Sequence, residues 1–295
     1  MTDPIRLNVT QRKDFVFIPG PHASTNIRYN ALHFAMKIIT WNVNGIRARQ
    51  HQLLELVELQ QPDVVCLQEL KAKAEQVPEM LYDLRGYWCY WHGAGPYSGV
   101  GLHLRKERFP ERPQFSHPAF DHETRIVQVG LDALVVASVY VPNGGKDYAA
   151  KIRFLQELER YAADVHGRGQ SLILCGDVNV AREERDVHPK ERKPNAIGQR
   201  QEERELFVKI LDRGLVDVQR TLDPTNNSLF TWWAPWRGLR DRNIGWRLDY
   251  VLASASLAAR ALTSTVLREF GSSDHGAVIT TFAEPVTAGG RERLE

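Results

Sequence analysis

From Met36 onwards, short apolar runs alternate with polar stretches in which apolar residues recur at helical spacing. Unbroken apolar runs are typical of buried strands, and apolar residues three or four apart are typical of one helix face. The pattern predicts strands at 37–42, 63–68, 87–92, 98–104, 125–130, 133–141 and 171–176, and shorter strands near 228–233, 248–253, 262–268 and 276–282. It predicts helices over 49–60, 148–165 and 201–213. So many strands with so few helices favour an α/β fold of two mixed sheets packed together, with helices outside.

The N-terminal stretch differs from the rest of the chain. Residues 1–35 hold prolines, asparagines and scattered charges without a clear period, and they lack the features of a signal peptide. We expect an extension that is loosely structured, or else a chain that begins at Met36. A length of 295 residues allows one large domain or two small ones, and no linker interrupts residues 36–282. We therefore predict an N-terminal extension at 1–35, a domain at 36–284 and a tail at 285–295.

Composition narrows the classes of protein. The chain has 38 Lys+Arg and 36 Asp+Glu, so its net charge of +2 does not identify a nucleic-acid-binding protein, and any basic surface must be local. A hydrophobic share of 43% excludes a disordered or collagenous chain. No apolar run approaches the ~20 residues of a membrane span, so we expect no membrane partner. Three widely separated cysteines suit a reducing compartment better than secretion, so we expect a cytoplasmic location.

Polar residues follow the ends of the predicted strands repeatedly. Each of the runs KIITW, DVVCLQ, LVVASV and LILCG leads into such a residue, in turn Asn42, Glu69, Tyr140 and the pair Asp177 and Asn179. Two further positions precede or begin later strands, namely Asp249 and the dipeptide Asp274-His275. If the first group of strands is co-directional and the later strands run the other way, all these side chains meet at one rim. Ligand sites are expected at such strand ends.

The chemistry of that rim indicates a hard cation. Four carboxylates brought together repel one another and need a positive counter-charge; they are Glu69, Asp177, Asp249 and Asp274. Oxygen ligands without a Cys/His cluster suit Mg²⁺, and a carboxylate beside His275 would fix its tautomer. This combination favours metal-assisted hydrolysis of a phosphate ester. Taken singly, each carboxylate is more often a turn or cap residue, so the inference depends on their joint placement.

Several blocks of the sequence, in order, resemble the exonuclease III family of abasic-site DNA endonucleases, within the endonuclease/exonuclease/phosphatase superfamily. They are ITWNVNGIRA (39–48), PDVVCLQELK (62–71), YSGVGL (97–102), VYVPNGG (139–145), LCGDVNVA (174–181), GWRLDYVLAS (245–254) and GSSDHGAV (271–278). GDVN with SDH marks the superfamily, whereas GWRLDYVLAS with FTWW (230–233) and KPNAIG (193–198) is similar to its DNA-repair branch. The resemblance implies a four-layer α/β sandwich over roughly 37–283.

The resemblance also implies a metal site. Mg²⁺, with Mn²⁺ as a substitute, would be held chiefly by Glu69 with Asn42 beside it. Four further residues would be ligands at a second metal position, if there is one: Asp177, Asn179, Asp274 and His275. Asp274 would otherwise serve the leaving group. Asn44 stands where some relatives have an acidic residue, which weakens the case for a second metal.

The resemblance also implies a catalytic role for each of several residues. Asp177 would position or activate the attacking water, and Asn179 would help to orient the phosphate. His275 would contact the scissile phosphate and be oriented by Asp249. Tyr140 would stabilise the developing negative charge or the leaving oxygen. The implied activity is hydrolysis of the phosphodiester 5′ to an abasic site, with 3′–5′ exonuclease and 3′-end processing activity as additional functions.

The implied partner is double-stranded DNA that contains abasic sites or blocked 3′ ends, bound by a monomer. A slot for a sugar without its base would be lined by Trp232, Trp246 and Leu248, although core packing is the simpler explanation of such residues. Contacts with DNA would be made by Tyr97, Asn143, Lys146, Lys193, Asn195 and Arg247. Local cations are needed for such contacts, and the arginines at 237–247 form a better basic patch than the mixed charges of 182–204.

Two other functions remain open. One is a superfamily phosphatase that acts on lipid or inositol phosphates, which would share GDVN and SDH but need a different substrate rim. The other is an inactive relative that binds nucleic acid. FTWW and GWRLDY argue against the phosphatase, and competent residues at every matched catalytic position argue against an inactive protein.

Overall fold

The computed structural model describes residues 35–82 and 84–284. The strands in this part of the chain are β1 (Ala35–Asn42), β2 (Val64–Gln68), β3 (Tyr87–His92), β4 (Val100–Arg105), β5 (Phe115–Ser116), β6 (Ile126–Leu131), β7 (Leu134–Tyr140), β8 (Ser171–Asp177), β9 (Leu215–Asp217), β10 (Asp249–Ser254), β11 (Ala261–Leu267) and β12 (Ala277–Ala283). The α-helices are α1 (Ile46–Gln60), α2 (Glu79–Tyr82), α3 (Tyr148–Gly167), α4 (Gln201–Asp212), α5 (Val218–Leu222) and α6 (Ala255–Ala258). Single 3₁₀ turns lie at Ala74–Gln76, Glu184–Asp186 and Pro189–Glu191.

The strands form two six-stranded mixed sheets. The first has the order β11-β12-β1-β2-β4-β3, and the second has the order β5-β6-β7-β8-β10-β9. In each sheet one central pair is parallel, β1 with β2 and β7 with β8, and the neighbouring strands β12 and β10 run antiparallel to that pair. The carboxyl ends of the parallel strands therefore lie at the same edge of their sheet as the amino ends of β10 and β12.

Alternation along the strands divides the core into three parts. In β1, Ile38 packs into the apolar cluster between the two sheets, whereas Ile39 packs against the outer layer with residues of α1. In β8, Ile173 belongs to the inner cluster and Leu172 belongs to the outer cluster with α3 and α4. Successive strand side chains point to opposite faces, so a strand buried on both faces needs no polar alternation. The predicted four-layer sandwich of two mixed sheets with helices outside is confirmed.

The structure differs from the sequence prediction in a few elements. The strand expected near 228–233 is wrong, because this segment makes only isolated bridges, from Trp232 to Trp246 and to His275. The two- or three-residue strands β5 and β9 and the short helices α2, α5 and α6 were not predicted, because so few residues show no period. The extension proposed at 1–35 and the tail proposed at 285–295 fall, apart from Ala35, outside the described residues. No helix in the described part of the chain has the length and apolar character that crossing a membrane requires.

Candidate active site

Three predicted site residues lie in one row across the second sheet. Tyr140 is the last residue of β7 and pairs in register with Asp177, the last residue of β8. Asp177 pairs in turn with Asp249, the first residue of antiparallel β10. The register therefore places two carboxylates and a phenol side by side at one rim of the sheet, as the positions of these residues along the chain predicted.

The first sheet contributes residues from the corresponding ends of β1 and β2. Asn42, the last residue of β1, is fully buried and donates a hydrogen bond from Nδ2 to Asp177 Oδ2 at 2.9 Å. Glu69 follows β2 directly and has a φ of 53°, in the left-handed region. Tyr140 donates a short hydrogen bond from its hydroxyl to Glu69 Oε1. The two sheets are thus joined at the site by polar contacts, and the site lies across their shared rim.

His275 lies between two carboxylates. Its Nδ1 is 2.8 Å from Asp249 Oδ2, and its Nε2 is 3.9 Å from Asp177 Oδ2. Burial opposes the positive charge, but Asp249 outweighs it and raises the pKa of His275 to about 10. At neutral pH the imidazole is therefore protonated, and it can donate through Nε2 to an anion.

Asp177 is almost completely buried and is the acceptor for several donors. Its Oδ1 accepts from the backbone N–H of Asn179 at 2.9 Å, and its Oδ2 accepts from the Asn179 amide at 3.1 Å. Burial raises the pKa of Asp177 to about 7, and the positive charge of His275 opposes this rise. The negative charges of Asp249 and Glu69 raise it further. The carboxyl group is thus poised to exchange a proton near neutral pH, as a general base requires.

Glu69 and Tyr140 have opposite electrostatic environments. Burial alone would raise the pKa of Glu69, but hydrogen bonds from Tyr140 and Lys71 outweigh it and hold the pKa below its usual value. Lys71 also forms an ion pair of 2.9 Å with Glu69 Oε2. Burial and the charge of Glu69 raise the pKa of Tyr140 far above that of a free phenol. Glu69 is therefore an anion and Tyr140 a neutral donor at neutral pH.

Asp274 lies on the other side of the site, and both of its carboxylate oxygens accept hydrogen bonds. Its Oδ1 accepts from Asn44 Nδ2 at 2.7 Å, and its Oδ2 accepts from Trp232 Nε1 at 3.0 Å. Asn44 also accepts from Lys71 at 2.5 Å. A chain of polar contacts thus runs from Asp274 through Asn44 and Lys71 to Glu69. The amide at position 44 holds two charged residues in place, which explains how a neutral side chain suits this position.

The donor set fits a hard divalent cation. Carboxylates of Glu69 and Asp177 line the same cavity, and Asn42 lies beside them, with Nδ2 donating to Asp177 and Oδ1 accepting from the backbone N–H of Asn44. Ligand atoms of Asp177, Asp249 and His275 also lie within 4.8 Å of one another. Glu69, with Asn42 beside it, remains the predicted holder of the ion. A protonated His275 would have to lose its proton before it could be a ligand.

A cavity of ≈ 270 Å³ joins these groups to an apolar wall. It is lined by Glu69, Asn143, Asp177, Asn179, Ile197, Trp232, Trp246, Leu248, Asp274 and His275. The rings of Trp232 and Trp246 meet edge to face, with centroids 5.7 Å apart. Leu248 is buried, whereas both indoles are partly exposed to the cavity. The three residues predicted to form an apolar pocket therefore do lie together, directly beside the polar residues.

The backbone carbonyl of Asn179 is bound by a lysine of a buried ion pair that sequence analysis missed. Lys151 of α3 donates from Nζ to the Asn179 carbonyl at 2.7 Å and pairs with Glu203 of α4 at 2.5 Å. Both charged side chains are completely buried. Asn179 itself has a φ of 55°, so its backbone is in the left-handed region. The amphipathic pattern identified α3 and α4, but it gave no sign that Lys151 points into the core.

Predicted DNA contacts fall into three groups. Tyr97, Asn143 and Lys146 line a second cavity of ≈ 960 Å³ that Tyr140 also borders, and Asn143 lines the first cavity as well. Tyr97 is 81% exposed. Lys193 and Asn195 are exposed on the segment that leads to the pocket residue Ile197. These five remain predictions, and their positions beside the site are compatible with a role in binding.

The prediction for Arg247 is wrong. Its side chain is completely buried and forms ion pairs with Asp186 at 2.9 Å and with Asp217 at 2.7 Å. Arg220 also pairs with Asp186, at 2.7 Å. Arg247 therefore cannot contribute to a basic surface patch. Its acidic partners lie 30 and 61 residues away along the chain, so neighbouring charges could not reveal its burial.

Other site residues were also missed. Lys71 connects Glu69 to Asn44, a position that the sequence analysis considered only for a second metal, and Ile197 adds to the apolar wall. Thr231 accepts hydrogen bonds at its hydroxyl from the backbone N–H groups of Leu248 and Asp249, at 2.9 and 3.0 Å, which fixes the start of β10. Lys71 and Ile197 stand inside sequence blocks that marked the family resemblance, so those blocks held a signal for them.

Comparison with known proteins gives consistent matches. The profile of the endonuclease/exonuclease/phosphatase family matches residues 39–275. An exodeoxyribonuclease of Bacillus subtilis is 34% identical over 248 residues, which cover 81% of this chain and 96% of the relative. The family match includes every residue of the candidate site from Asn42 to His275.

Solved structures also match most of the chain. An AP endonuclease from Archaeoglobus fulgidus has a TM-score of 0.75 and 29% identity, and the match covers 84% of this chain and 99% of that one. A 3′ phosphatase from Neisseria, bound to a product DNA hairpin, has a TM-score of 0.76 and 30% identity, again with 84% and 99% covered. The named activities differ among these relatives, although the fold is shared.

Proposed function

The chain belongs to the endonuclease/exonuclease/phosphatase family, and from that premise we propose that it is a Mg²⁺-dependent abasic-site endonuclease of base excision repair. As a member of this family it is a metal-dependent nuclease. In the proposed reaction it hydrolyses the phosphodiester 5′ to an abasic site in double-stranded DNA, and it also trims or unblocks 3′ ends. It acts as a monomer in the cytoplasm of a bacterium or archaeon, where its three free thiols are stable.

One observation carries the proposal: a single cavity has a hydrolytic floor and an apolar wall. Asp177 and His275 form part of the floor, and Trp232, Trp246 and Leu248 form the wall. A sugar that lacks its base presents an apolar face to these three side chains, whereas a nucleotide with its base would also have to place a polar-edged purine or pyrimidine against them. Extruding a nucleotide costs least where no base is stacked or paired. The wall therefore favours an abasic residue beside the reacting phosphate.

The chain's own residues account for the movement of protons. Asp177 accepts a proton from the attacking water, because its pKa of about 7 matches the working pH. His275 remains protonated and donates from Nε2 to the phosphate oxygen on which charge develops. Asp249 holds the imidazole in the tautomer and orientation that this donation needs. Tyr140 donates its one hydroxyl proton to Glu69, and it would donate to the leaving oxygen by exchanging that acceptor for the leaving oxygen.

The metal would be held by Glu69 and Asn42. When bound, Mg²⁺ supplies positive charge that stabilises the charge on the phosphoryl oxygens and on the departing 3′ oxygen. Glu69 is ionised well below neutral pH, so it can bind the ion without first losing a proton. Lys71 contacts the same carboxylate and would have to share it with the ion.

Additional activity at 3′ ends is supported by the range of named relatives. An exodeoxyribonuclease, an AP endonuclease and a 3′ phosphatase match this chain over 81–84% of its length. All three activities break a bond to phosphorus on the 3′ oxygen of a nucleotide. A site that positions one such phosphate beside Asp177 and His275 can serve each of them, and the rim of the cavity determines which substrate is preferred.

The proposal is tested with a labelled duplex that contains one abasic analogue, incubated with and without Mg²⁺. We expect one incision, 5′ to the analogue, that leaves a 3′-hydroxyl and that requires the metal. A duplex with an intact base and an inositol phosphate are the comparison substrates. No incision, incision on the 3′ side, or faster hydrolysis of the inositol phosphate would each contradict the proposal.

A further inference from the structure

The outermost strands of the two sheets are in contact at one edge of the sandwich. β3 ends the first sheet and β5 ends the second. The ring of Tyr90 in β3 stacks on Phe115 in β5, with centroids 5.2 Å apart and planes inclined by 15°. The Tyr90 hydroxyl also lies 2.7 Å from Nε2 of His117, the residue that follows β5. Side chains of both sheets therefore meet in this place, away from the catalytic cavity.

Two histidines and one aspartate cluster at this junction. His92 Nε2 lies 2.5 Å from Asp121 Oδ2. The imidazoles of His92 and His117 stack, with centroids 4.0 Å apart and planes inclined by 10°. One ligand atom from each of these three residues lies within 4.8 Å of the other two. None of the three lines the catalytic cavity.

We propose that His92, His117 and Asp121 form a second metal site, for a borderline divalent cation of the zinc class, which joins the edges of the two sheets. Imidazole nitrogens suit Zn²⁺, Co²⁺ and Ni²⁺, whereas Mg²⁺ prefers oxygen ligands and keeps its waters. Two nitrogens with one carboxylate oxygen match a zinc site that has three protein ligands and one open position. The catalytic site, with its oxygen-rich donors, selects a different class of ion.

To close around an ion, the stacked rings of His92 and His117 have to open, because imidazole lone pairs lie in the ring plane and the two planes are nearly parallel. Tetrahedral ligand atoms at Zn–N and Zn–O distances of about 2.1 Å lie roughly 3.4 Å apart. The His92–Asp121 contact of 2.5 Å has to widen by about 1 Å, as the ion takes the place of the shared hydrogen. The remaining separations, up to 4.8 Å, have to shrink. His117 is the exposed member and lies outside any long strand, so it is the ring that turns towards the ion, and in turning it gives up its stacking on His92.

Two members of the cluster are held by the protein, which reduces the cost of assembling the site. Asp121 is only 2% exposed in its side chain, and its Oδ1 accepts the backbone N–H of Arg125 at 2.7 Å. His92 is 17% exposed and is the last residue of β3, paired with β4.

Occupation of the site would hold the segment 117–125 against β3. That segment carries Arg125, whose guanidinium lies over the ring of Tyr140 at 5.0 Å from its centroid. It also carries Thr124, whose carbonyl accepts the backbone N–H of Gly99 at 3.2 Å. A bound ion therefore adds a cross-link between the sheets that the apolar core does not provide, close behind the cavity bordered by Tyr97.

The test is calorimetric titration of the full chain with Zn²⁺ in the presence of excess Mg²⁺, which occupies oxygen sites and competes poorly for imidazoles. We expect one Zn²⁺ per chain at this site. Loss of a partner that only orients a ligand lowers metal affinity about 10–100-fold, so His92→Asn and His117→Asn should each lower it by at least that factor. His51→Asn, which changes an exposed histidine of α1, is the matched control and should bind as the wild type does.

Two further measurements make the result decisive. Co²⁺ bound to the wild type should give the visible spectrum of a site with nitrogen ligands, and Zn²⁺ should raise the melting temperature of the wild type but not of His117→Asn. His117 is exposed, so its substitution tests binding even if His92→Asn fails to fold. Unchanged Zn²⁺ affinity in His117→Asn, absence of binding by the wild type, or loss of binding only in Glu69→Gln would overturn the proposal.

Discussion

Asp249 and His275 are joined by a hydrogen bond of 2.8 Å between the carboxylate Oδ2 and the ring Nδ1. The other oxygen of Asp249 is buried and has no hydrogen-bond partner among the described residues. The carboxylate therefore interacts chiefly with the imidazole, and it raises the pKa of His275 to about 10 although burial opposes the charge. This pair determines the protonation state of the group that faces Asp177 across the cavity.

Asp249→Asn tests that role. A neutral amide cannot support an imidazolium ion, so we expect nuclease activity at neutral pH to fall by ~10²-fold or more, the usual contribution of a positioned acid. The loss of activity at high pH should also begin at a lower pH than in the wild type, because the pKa of His275 falls. The measurement is kcat against pH at saturating Mg²⁺. Asp241→Asn, which changes an exposed carboxylate, is the control. If the activity of Asp249→Asn falls at the same high pH as that of the wild type, the Asp249–His275 pair does not determine the pKa of His275.

The pH profile of the wild type should be bell-shaped. Asp177 must lose its proton to act as a base, so activity should rise with pH up to about 7, by tenfold for each pH unit well below that value. His275 must keep its proton, so activity should fall as the pH approaches 10. A nearby divalent cation favours the carboxylate, so saturating Mg²⁺ should move the low-pH limb to lower pH. A low-pH limb that is the same at limiting and saturating Mg²⁺ would show that Asp177 does not sense the metal.

Glu69→Gln should act mainly through the metal. The carboxylate is ionised in the folded protein because hydrogen bonds from Tyr140 and Lys71 outweigh its burial and lower its pKa. An amide cannot balance the charge of Mg²⁺, so we expect a large rise in the Mg²⁺ concentration needed for half-maximal activity, with partial recovery at high Mg²⁺. Activity measured across a Mg²⁺ titration gives this value. Equal activity of variant and wild type at limiting Mg²⁺ would show that Glu69 does not bind the metal ion.

Local sequence patterns predicted much of the site because strand ends determine it. Asn42, Tyr140 and Asp177 each end an apolar run, and the run itself indicated a buried strand. Parallel pairing of β1 with β2 and of β7 with β8 then brings these ends to one rim, as the positional argument required. The exact members of the row follow from register, which also places Asp249 opposite Asp177.

Local patterns could not predict contacts between residues that are far apart along the chain. Arg247 has neighbours in the chain that suggest a basic surface, yet its ion pairs with Asp186 and Asp217 bury it. Lys151 is one more polar residue in an amphipathic helix until Glu203 of α4 is seen beside it. In both cases the decisive contact joins elements whose relative placement only the complete fold establishes.

Arg247→Met separates structure from DNA binding. Removing one partner of a buried ion pair leaves its carboxylates uncompensated, which costs about 3–5 kcal/mol of unfolding free energy. We expect that loss, measured by denaturant unfolding, with no change in the salt dependence of DNA binding for the folded fraction. Arg237→Met is the matched comparison: its arginine is exposed, so stability should be unchanged. If Arg247→Met is as stable as the wild type and its DNA binding depends less on salt concentration, then Arg247 contacts DNA.

The central claim is that the apolar wall of the catalytic cavity recognises the absence of a base. Trp232 and Trp246 meet at 5.7 Å between centroids, and Trp232 also donates to Asp274, so the wall and the hydrolytic floor are physically joined. Trp246→Ala removes part of the wall and enlarges the cavity, and it leaves the hydrogen bond from Trp232 to Asp274 in place. Truncating a large buried ring costs up to about 3–5 kcal/mol, so the melting temperature of the variant must first show that it is folded.

The most direct measurement is the ratio of kcat/KM for a duplex with one abasic analogue to kcat/KM for the same duplex with an intact base, at fixed salt and saturating Mg²⁺. We predict a large ratio for the wild type. For folded Trp246→Ala we predict a clearly smaller ratio, with unchanged affinity for undamaged duplex. A wild-type ratio near one, or an unchanged ratio in the folded variant, would contradict the claim that this wall selects the substrate.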